Sequence, residues 1–197
     1  MFIEPRAHTD KRKGWIEVVC GSMFSGKTEE LIRRLNRAKI ANLQVEIFKP
    51  SVDTRYNETE VVSHNQNTIP STPIESSLNI LLMCGEAKVI GIDEAQFFDQ
   101  ELIYVCEKLA EQGVRVIVAG LDMDYLGKPF GPMPALMAIA EYVTKVHAIC
   151  MVCGDIATHS YRKINNNSLV MLGEHNTYEA RCRFCFNEGM KQQNGNG

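Results

Sequence analysis

No stretch of this 197-residue chain is apolar for long enough to span a bilayer, and Met1 to Gly14 is polar and mixed in charge, without the apolar core of a secretory leader. A cytoplasmic protein with no membrane partner is expected. Massed positive charge is missing too. The 21 Lys and Arg are spread along the chain against 24 Asp and Glu, for a formal charge of −3, whereas a nucleic-acid footprint needs a concentrated basic surface. Nucleic acid is therefore not an expected partner. No [NT]KxD tetrapeptide occurs, which removes the guanine-reading element of a GTPase switch. There is no internal repeat, and the length holds one ordinary domain, or one with a small appendage, but not three.

What is present begins with Gly21-Ser22-Met23-Phe24-Ser25-Gly26-Lys27-Thr28, which fits the phosphate-binding pattern GxxxxGK[ST]. Trp15 to Cys20 before it reads as a strand and Glu29 to Leu35 after it as a helix, the context the motif requires. In such a loop, successive N–H groups curl around a polyphosphate at a helix N-terminus. Lys27 reaches the outer phosphates and Thr28 offers its hydroxyl to Mg²⁺. The competing reading is an ordinary Gly-rich turn.

The runs Val45 to Phe48, Val89 to Ile92 and Val114 to Ala119 are short, β-branched and almost unbroken, as strands buried on both faces are. They predict an α/β fold with a parallel sheet flanked by helices. Between the last two runs a helix is marked by Asp99 as N-cap, a stripe of Leu102, Ile103, Cys106, Leu109 and Ala110, and Gly113 as the stop. Arg33, Arg34, Arg37 and Lys39 read as a solvated face of the helix after the phosphate loop. Ser51 to Ser77 has no clear period and is too long for a simple connection.

Val89 to Ile92 ends in Asp93-Glu94, at the carboxyl edge of the predicted sheet where open α/β folds bind ligands. Asp93 suits Mg²⁺, and Glu94 suits activation of an incoming nucleophile. The alternative is an acidic pair that only caps the next segment. Of seven cysteines, Cys20, Cys84 and Cys106 read as small buried apolar residues. Cys150-x2-Cys153 and Cys182-x2-Cys185 have the spacing that lets thiolate pairs grip one zinc ion in a closed structural site. Disulfides are the competing reading. Thr158 to Ile164 and Leu169 to Leu172 read as a hairpin closing the long loop between the pairs. His147, His159 and His175 read as ordinary histidines, and Phe97, Phe98, Tyr125 and Phe130 as core aromatics.

Together with Lys49-Pro50, Asp53-Thr54-Arg55-Tyr56, Asp93-Glu94-Ala95-Gln96-Phe97-Phe98, Gly120-Leu121-Asp122, Lys128-Pro129-Phe130-Gly131 and Tyr178 to Cys182, these motifs resemble the small cytosolic, zinc-containing type II thymidine kinases from about Trp15 to Phe186. The resemblance implies a RecA-like P-loop domain at 14–147 and a zinc lobe at 148–189 with a lasso loop at about 164–178. Flexible tails at 1–13 and 190–197 flank them. It places ATP on Gly21 to Thr28, with Arg55, Asp93, Glu94, Ala95 and Gln96 completing that site. Mg²⁺ would sit on Thr28 and Asp93, and zinc on Cys150, Cys153, Cys182 and Cys185. Arg55 would meet the transferring phosphoryl group and Glu94 would be the base for the 5′-hydroxyl.

Met23, Phe97, Tyr125, Phe130 and Tyr178 would line the thymidine pocket, leaving Phe98 as core. Deoxyuridine as a second substrate, dTTP as feedback inhibitor and a homotetramer complete the expectation, with Val105, off the helix stripe, as a possible subunit contact. Ser22 stands where many members have proline and Tyr125 where some have phenylalanine. From the residues alone, two other readings stay open. One is an ATP-driven nucleic-acid protein in which Glu94 activates water and the zinc lobe binds the strand; the other is a GTPase switch.

Overall fold

The computed structural model describes residues 14–51, 60–62, 68–164 and 177–195. In chain order the elements begin β1 (Trp15–Gly21), α1 (Lys27–Ile40), β2 (Val45–Pro50), β3 (Glu60–Val62), β4 (Thr68–Pro70), β5 (Thr72–Ile74), α2 (Asn79–Met83) and β6 (Val89–Ile92). They continue with a 3₁₀ turn at Ala95–Phe97, α3 (Leu102–Glu111), β7 (Arg115–Leu121), α4 (Met133–Ile139) and β8 (Tyr142–Lys145). Beyond these lie β9 (Ala148–Ile149), β10 (Ile156–Ala157), β11 (His159–Arg162), β12 (Tyr178–Arg181) and α5 (Arg183–Gly195). No helix among the described residues is long and apolar enough to cross a membrane.

Six strands form one sheet in the order β5-β2-β6-β7-β1-β8, with every neighbouring pair parallel. Strand alternation divides its two faces. Ile16, Val18 and Cys20 of β1 join Leu102, Val105, Cys106 and Leu109 of α3 and Met133 and Leu136 of α4 in one cluster. Val19 joins Leu31, Ile32, Leu35 and Ala38 of α1 in the other. Leu31 and Leu35 are fully buried, each contributing about 1.5–3 kcal/mol of apolar transfer.

The structure departs from the sequence reading at four places. Arg33, Arg37 and Lys39 are exposed, but Arg34 is fully buried. Its Nη1 lies 2.8 Å from Glu17 on β1, and its Nε 2.8 Å from Glu30. Val105 is also fully buried within its own chain, so it cannot be a subunit contact. Asp99 does not cap α3, which starts after Glu101 without a side-chain cap. Its carboxylate accepts from the backbone N–H of Ser77 and from the Ser77 hydroxyl, a local alternative to capping.

In the C-terminal region β11 pairs antiparallel with β12, from His159↔Arg181 to Arg162↔Tyr178; Leu169 to Leu172, the expected second arm of the hairpin, lie outside the described residues. Residues 165–176, with His175 and most of the expected lasso loop, lie outside the described residues, as do Arg55 and 1–13. Finally, α5 runs to Gly195 through residues read as a tail, and Gln193 Nε2 donates to the Arg162 carbonyl at 2.8 Å.

Candidate functional site

The loop between β1 and α1 has the shape its glycines require. At Gly21 φ is +149°, and a Cβ there would meet the Val146 carbonyl at 2.2 Å, so only glycine lets the chain turn beside β8. Gly26 is left-handed at the N-cap of α1. Lys27 Nζ donates to the Ser22 carbonyl at 2.8 Å, as does Ser25 Oγ at 2.7 Å, so the lysine folds back over its own loop. The Met23 N–H donates to Ser160 Oγ of β11 at 3.0 Å, and Phe24 packs against the cysteine-bearing cluster. Ser160 was not foreseen: it lies in a motif-free stretch, and only the fold brings it to the loop.

Thr28 Oγ1 lies 3.4 Å from Asp93 Oδ2, which brings together the hydroxyl and the carboxylate expected to hold Mg²⁺. Two hard oxygen donors at a phosphate loop fit that ion. Glu94 follows in a left-handed conformation (φ 49°, ψ 40°), uncommon for a residue with a side chain and costly enough to mark functional sites. Its N–H donates to Asp93 Oδ1 at 3.0 Å. Ala95 and Gln96 are buried in the 3₁₀ turn that follows.

The expected nucleoside aromatics fall into two groups. Phe97 and Phe130 meet edge to face with centroids 5.7 Å apart, while Phe98 is buried in the core, as expected. Tyr125 and Tyr178 are joined by a residue the sequence did not single out. The Arg162 guanidinium stacks 3.6 Å over the Tyr125 ring and donates to the Tyr178 hydroxyl from Nη2 at 2.8 Å and from Nε at 3.1 Å. A nearly buried arginine between two tyrosines gains both cation–π and hydrogen-bond stabilisation.

At the same edge of the sheet Lys145 Nζ lies 2.6 Å from Asp122 Oδ2. Burial, reinforced by Asp122 and opposed by Lys145 and Lys27, pushes the Cys20 thiol up to about 11. Cys106 is raised further by its complete burial. Both are inert core residues, as their surroundings in the sequence suggested.

The four remaining thiols converge. Cys150, Cys153, Cys182 and Cys185 offer sulfurs all within 4.8 Å of one another, with Cys153 and Cys182 3.7 Å apart. Tetrahedral zinc with sulfur at about 2.3 Å requires sulfur separations of about 3.8 Å, and none of the four is in a disulfide. Burial opposes charge on Cys150, yet nearby backbone N–H donors bring its thiol down to about 6. Burial and the other sulfurs push Cys185 up to about 12. A bound cation would relieve that conflict, so the donor set fits zinc. His159 is not part of the cluster: it is buried and shares a 2.9 Å hydrogen bond with Thr158, and desolvation, with Arg183 and Lys145 adding to it, lowers its imidazole below the ordinary value.

A family model described as thymidine kinase matches residues 14–186. The chain belongs to the thymidine kinase family. It is 59% identical over 192 residues to a thymidine kinase of Bacteroides fragilis strain YCH46, covering 98% of this chain and 96% of the relative. A thymidine kinase of Porphyromonas gingivalis strain W83 is 61% identical over 180 residues, 91% of this chain and 88% of the relative. One of Rhodothermus sp. strain ITI 518 is 62% identical over 173 residues, 88% and 81% respectively. Membership makes the chain a kinase, and the thymidine kinase resemblance drawn from the motifs holds across nearly its whole length.

Proposed function

We propose that this kinase transfers the γ-phosphoryl group of ATP to the 5′-hydroxyl of thymidine, and of deoxyuridine, giving the 5′-monophosphate and ADP in cytoplasmic pyrimidine salvage. The observation that carries the reading is the meeting of Thr28, Asp93 and Glu94 at the mouth of the phosphate loop. In this scheme the N–H groups of Gly21 to Thr28 and the Lys27 ammonium hold the triphosphate. Thr28 and Asp93 would hold Mg²⁺, which when bound would supply positive charge against the phosphate oxygens. The 5′-oxygen forms its bond to the γ-phosphorus as the bond to the β-bridging oxygen breaks, and the Glu94 carboxylate takes the hydroxyl proton. Arg55, from outside the described residues, would meet the transferring group. Residues 14–147 would form the nucleotide-binding unit and 148–189 the zinc lobe, in a homotetramer inhibited by dTTP.

With γ-labelled ATP the label should end on the nucleoside; label released as free phosphate would instead favour an ATPase in which Glu94 activates water. Across five nucleosides, thymidine and deoxyuridine should both be accepted, since one methyl is worth only about 1 kcal/mol of apolar contact. Deoxyadenosine and deoxyguanosine should be rejected, because a purine would hold the pocket open and leave its polar groups unpaired. Deoxycytidine presents a donor where thymine presents an acceptor. Comparable efficiency with deoxycytidine or a purine would make the enzyme a broad deoxynucleoside kinase.

The cysteine cluster is proposed to hold one structural zinc per chain. Metal analysis of protein purified without chelator should give that ratio. Cys153→Ser should loosen the lobe and raise KM for thymidine more than for ATP, because β11 and β12, which carry Arg162 and Tyr178, abut the cluster. Folded, active protein with no bound metal would refute the assignment.

A further inference from the structure

The family resemblance places Gln96 among the ATP-binding residues, but it is only 2% exposed and both ends of its amide are engaged within the protein. Its Oε1 accepts the Leu121 N–H at 2.9 Å, and its Nε2 donates to Glu94 Oε2 at 2.5 Å. This orientation is forced, since Leu121 N–H can only donate and an ionised carboxylate can only accept. The reversed amide would set donor against donor and acceptor against acceptor.

The surroundings are cleared for this side chain. A Cβ at Gly120 would lie 2.9 Å from Gln96 Oε1 and 2.7 Å from Met133 Sδ, and one at Gly131 would lie 2.3 Å from the Gln96 carbonyl. Gln96 therefore spans from Glu94 to the start of the segment Leu121 to Phe130, which carries Tyr125 and Phe130. It is fixed at both ends, with Gly120 leaving room for its amide and Gly131 for its backbone carbonyl.

We infer that Gln96 is a positioning residue for the phosphoryl transfer: it holds the Glu94 carboxylate at a set distance from the segment that receives the nucleoside. The inference rests on the reading of Glu94 as base. The left-handed backbone at Glu94 gives this strut its purpose, because a strained residue keeps its conformation only where neighbours over-determine it. Charged groups at this edge of the sheet include Asp93 beside Glu94, Lys49 at the end of β2, Lys27 on the phosphate loop, and Asp122 with Lys145. None supplies the neutral donor that Gln96 presents.

The amide's two ends can be tested apart. Gln96→Glu keeps an acceptor for the Leu121 N–H but loses the donor to Glu94; Gln96→Met loses both. Each should lower kcat by about tenfold or more, while KM for thymidine and for ATP stays within about threefold. If Gln96 only supports the end of β7, folded Gln96→Met should keep wild-type kcat and merely melt lower, and that result overturns the inference; so does wild-type kcat in Gln96→Glu, which sets a second carboxylate against Glu94. In a Glu94→Gln background, adding Gln96→Glu should cost less than about twofold, because the group being positioned is already gone. A full multiplicative loss there would also overturn it. Should Gln96→Met fail to fold, Gln96→Glu and the double variant still decide. A Glu94→Gln enzyme with wild-type kcat removes the base reading and the inference with it, whereas an inactive Glu94→Gln beside an active Gln96→Glu removes the inference alone.

Discussion

Replacing Glu94 with glutamine is expected to lower kcat for thymidine by about 10² or more, while ATP affinity stays within about threefold. The glutamine keeps an oxygen that can accept from Gln96 Nε2, so the 2.5 Å contact survives in form and the local fold should too. Only the proton acceptor is lost. A hundredfold loss corresponds to about 2.7 kcal/mol of transition-state stabilisation, in the range general-base removal produces when positioning and electrostatics remain. The groups expected on the triphosphate, namely the loop amides, Lys27, Thr28 and Asp93, are unchanged, which is why kcat and ATP binding should separate. Steady-state kinetics with thymidine, together with a nucleotide-binding titration, makes the measurement. Unchanged kcat would remove Glu94 from the chemistry, and parallel loss of kcat and ATP binding would show a residue that builds the phosphate site instead.

Glu17→Gln should destabilise the fold by about 3–5 kcal/mol. The Glu17 carboxylate is completely buried and meets two guanidinium groups, Arg34 Nη1 at 2.8 Å and Arg115 Nε at 2.7 Å, with Trp15 Nε1 also donating to it at 2.7 Å. Arg34 is fully buried and Arg115 only 8% exposed. With the charge gone, Arg34 keeps Glu30 and the Thr144 hydroxyl, but both guanidinium groups lose the buried carboxylate they share and remain close together. The penalty is chiefly that of stranded buried charge and not the net worth of the ion pair. Since domains are stable by about 5–15 kcal/mol, the loss is a large share of the total. A domain of this size should melt roughly 6–20 °C lower. Urea unfolding at fixed protein concentration tests it, and a shift below about 1 kcal/mol would show that water or neighbouring dipoles already solvate the group. Replacing Glu17, Arg34 and Arg115 together with apolar residues of similar volume should recover most of the loss.

Features that repeat or that chemistry demands were legible in the sequence. The β-branched runs gave away a parallel sheet because burial on both faces leaves no polar positions, and the phosphate loop, Asp93-Glu94 and the cysteine pairs showed themselves by spacing. Arg34 was misread because helical periodicity places it beside three exposed basic residues. The signal that could have corrected this lies outside the helix, in Glu17, a lone carboxylate inside an otherwise apolar strand. Val105 was read as a subunit contact because it lies off the predicted stripe, yet α3 buries a wider face. Among the described residues, the strands between Ser51 and Ser77 are three residues each, too short to show a period. Ser160, Arg162 and the strut at Gln96 were illegible for a different reason: each acts through a partner distant in sequence, and no local pattern encodes that meeting.

The position of β1 also governs how the chain comes together during synthesis. It is made first, yet its sheet neighbours are β7, paired from Trp15↔Arg115, and β8, paired from Glu17↔Tyr142. Both are about a hundred residues or more downstream, so closing those contacts carries a large loop entropy and is intrinsically slow. At about 5–20 residues per second on the ribosome, β1 and the apolar face of α1 wait seconds for their partners, while β2 and β6 can pair earlier. The loop between β1 and α1, proposed to hold the triphosphate, is thus among the last parts of the sheet to acquire its shape. An emerging chain lacks it until nearly the whole parallel core is present.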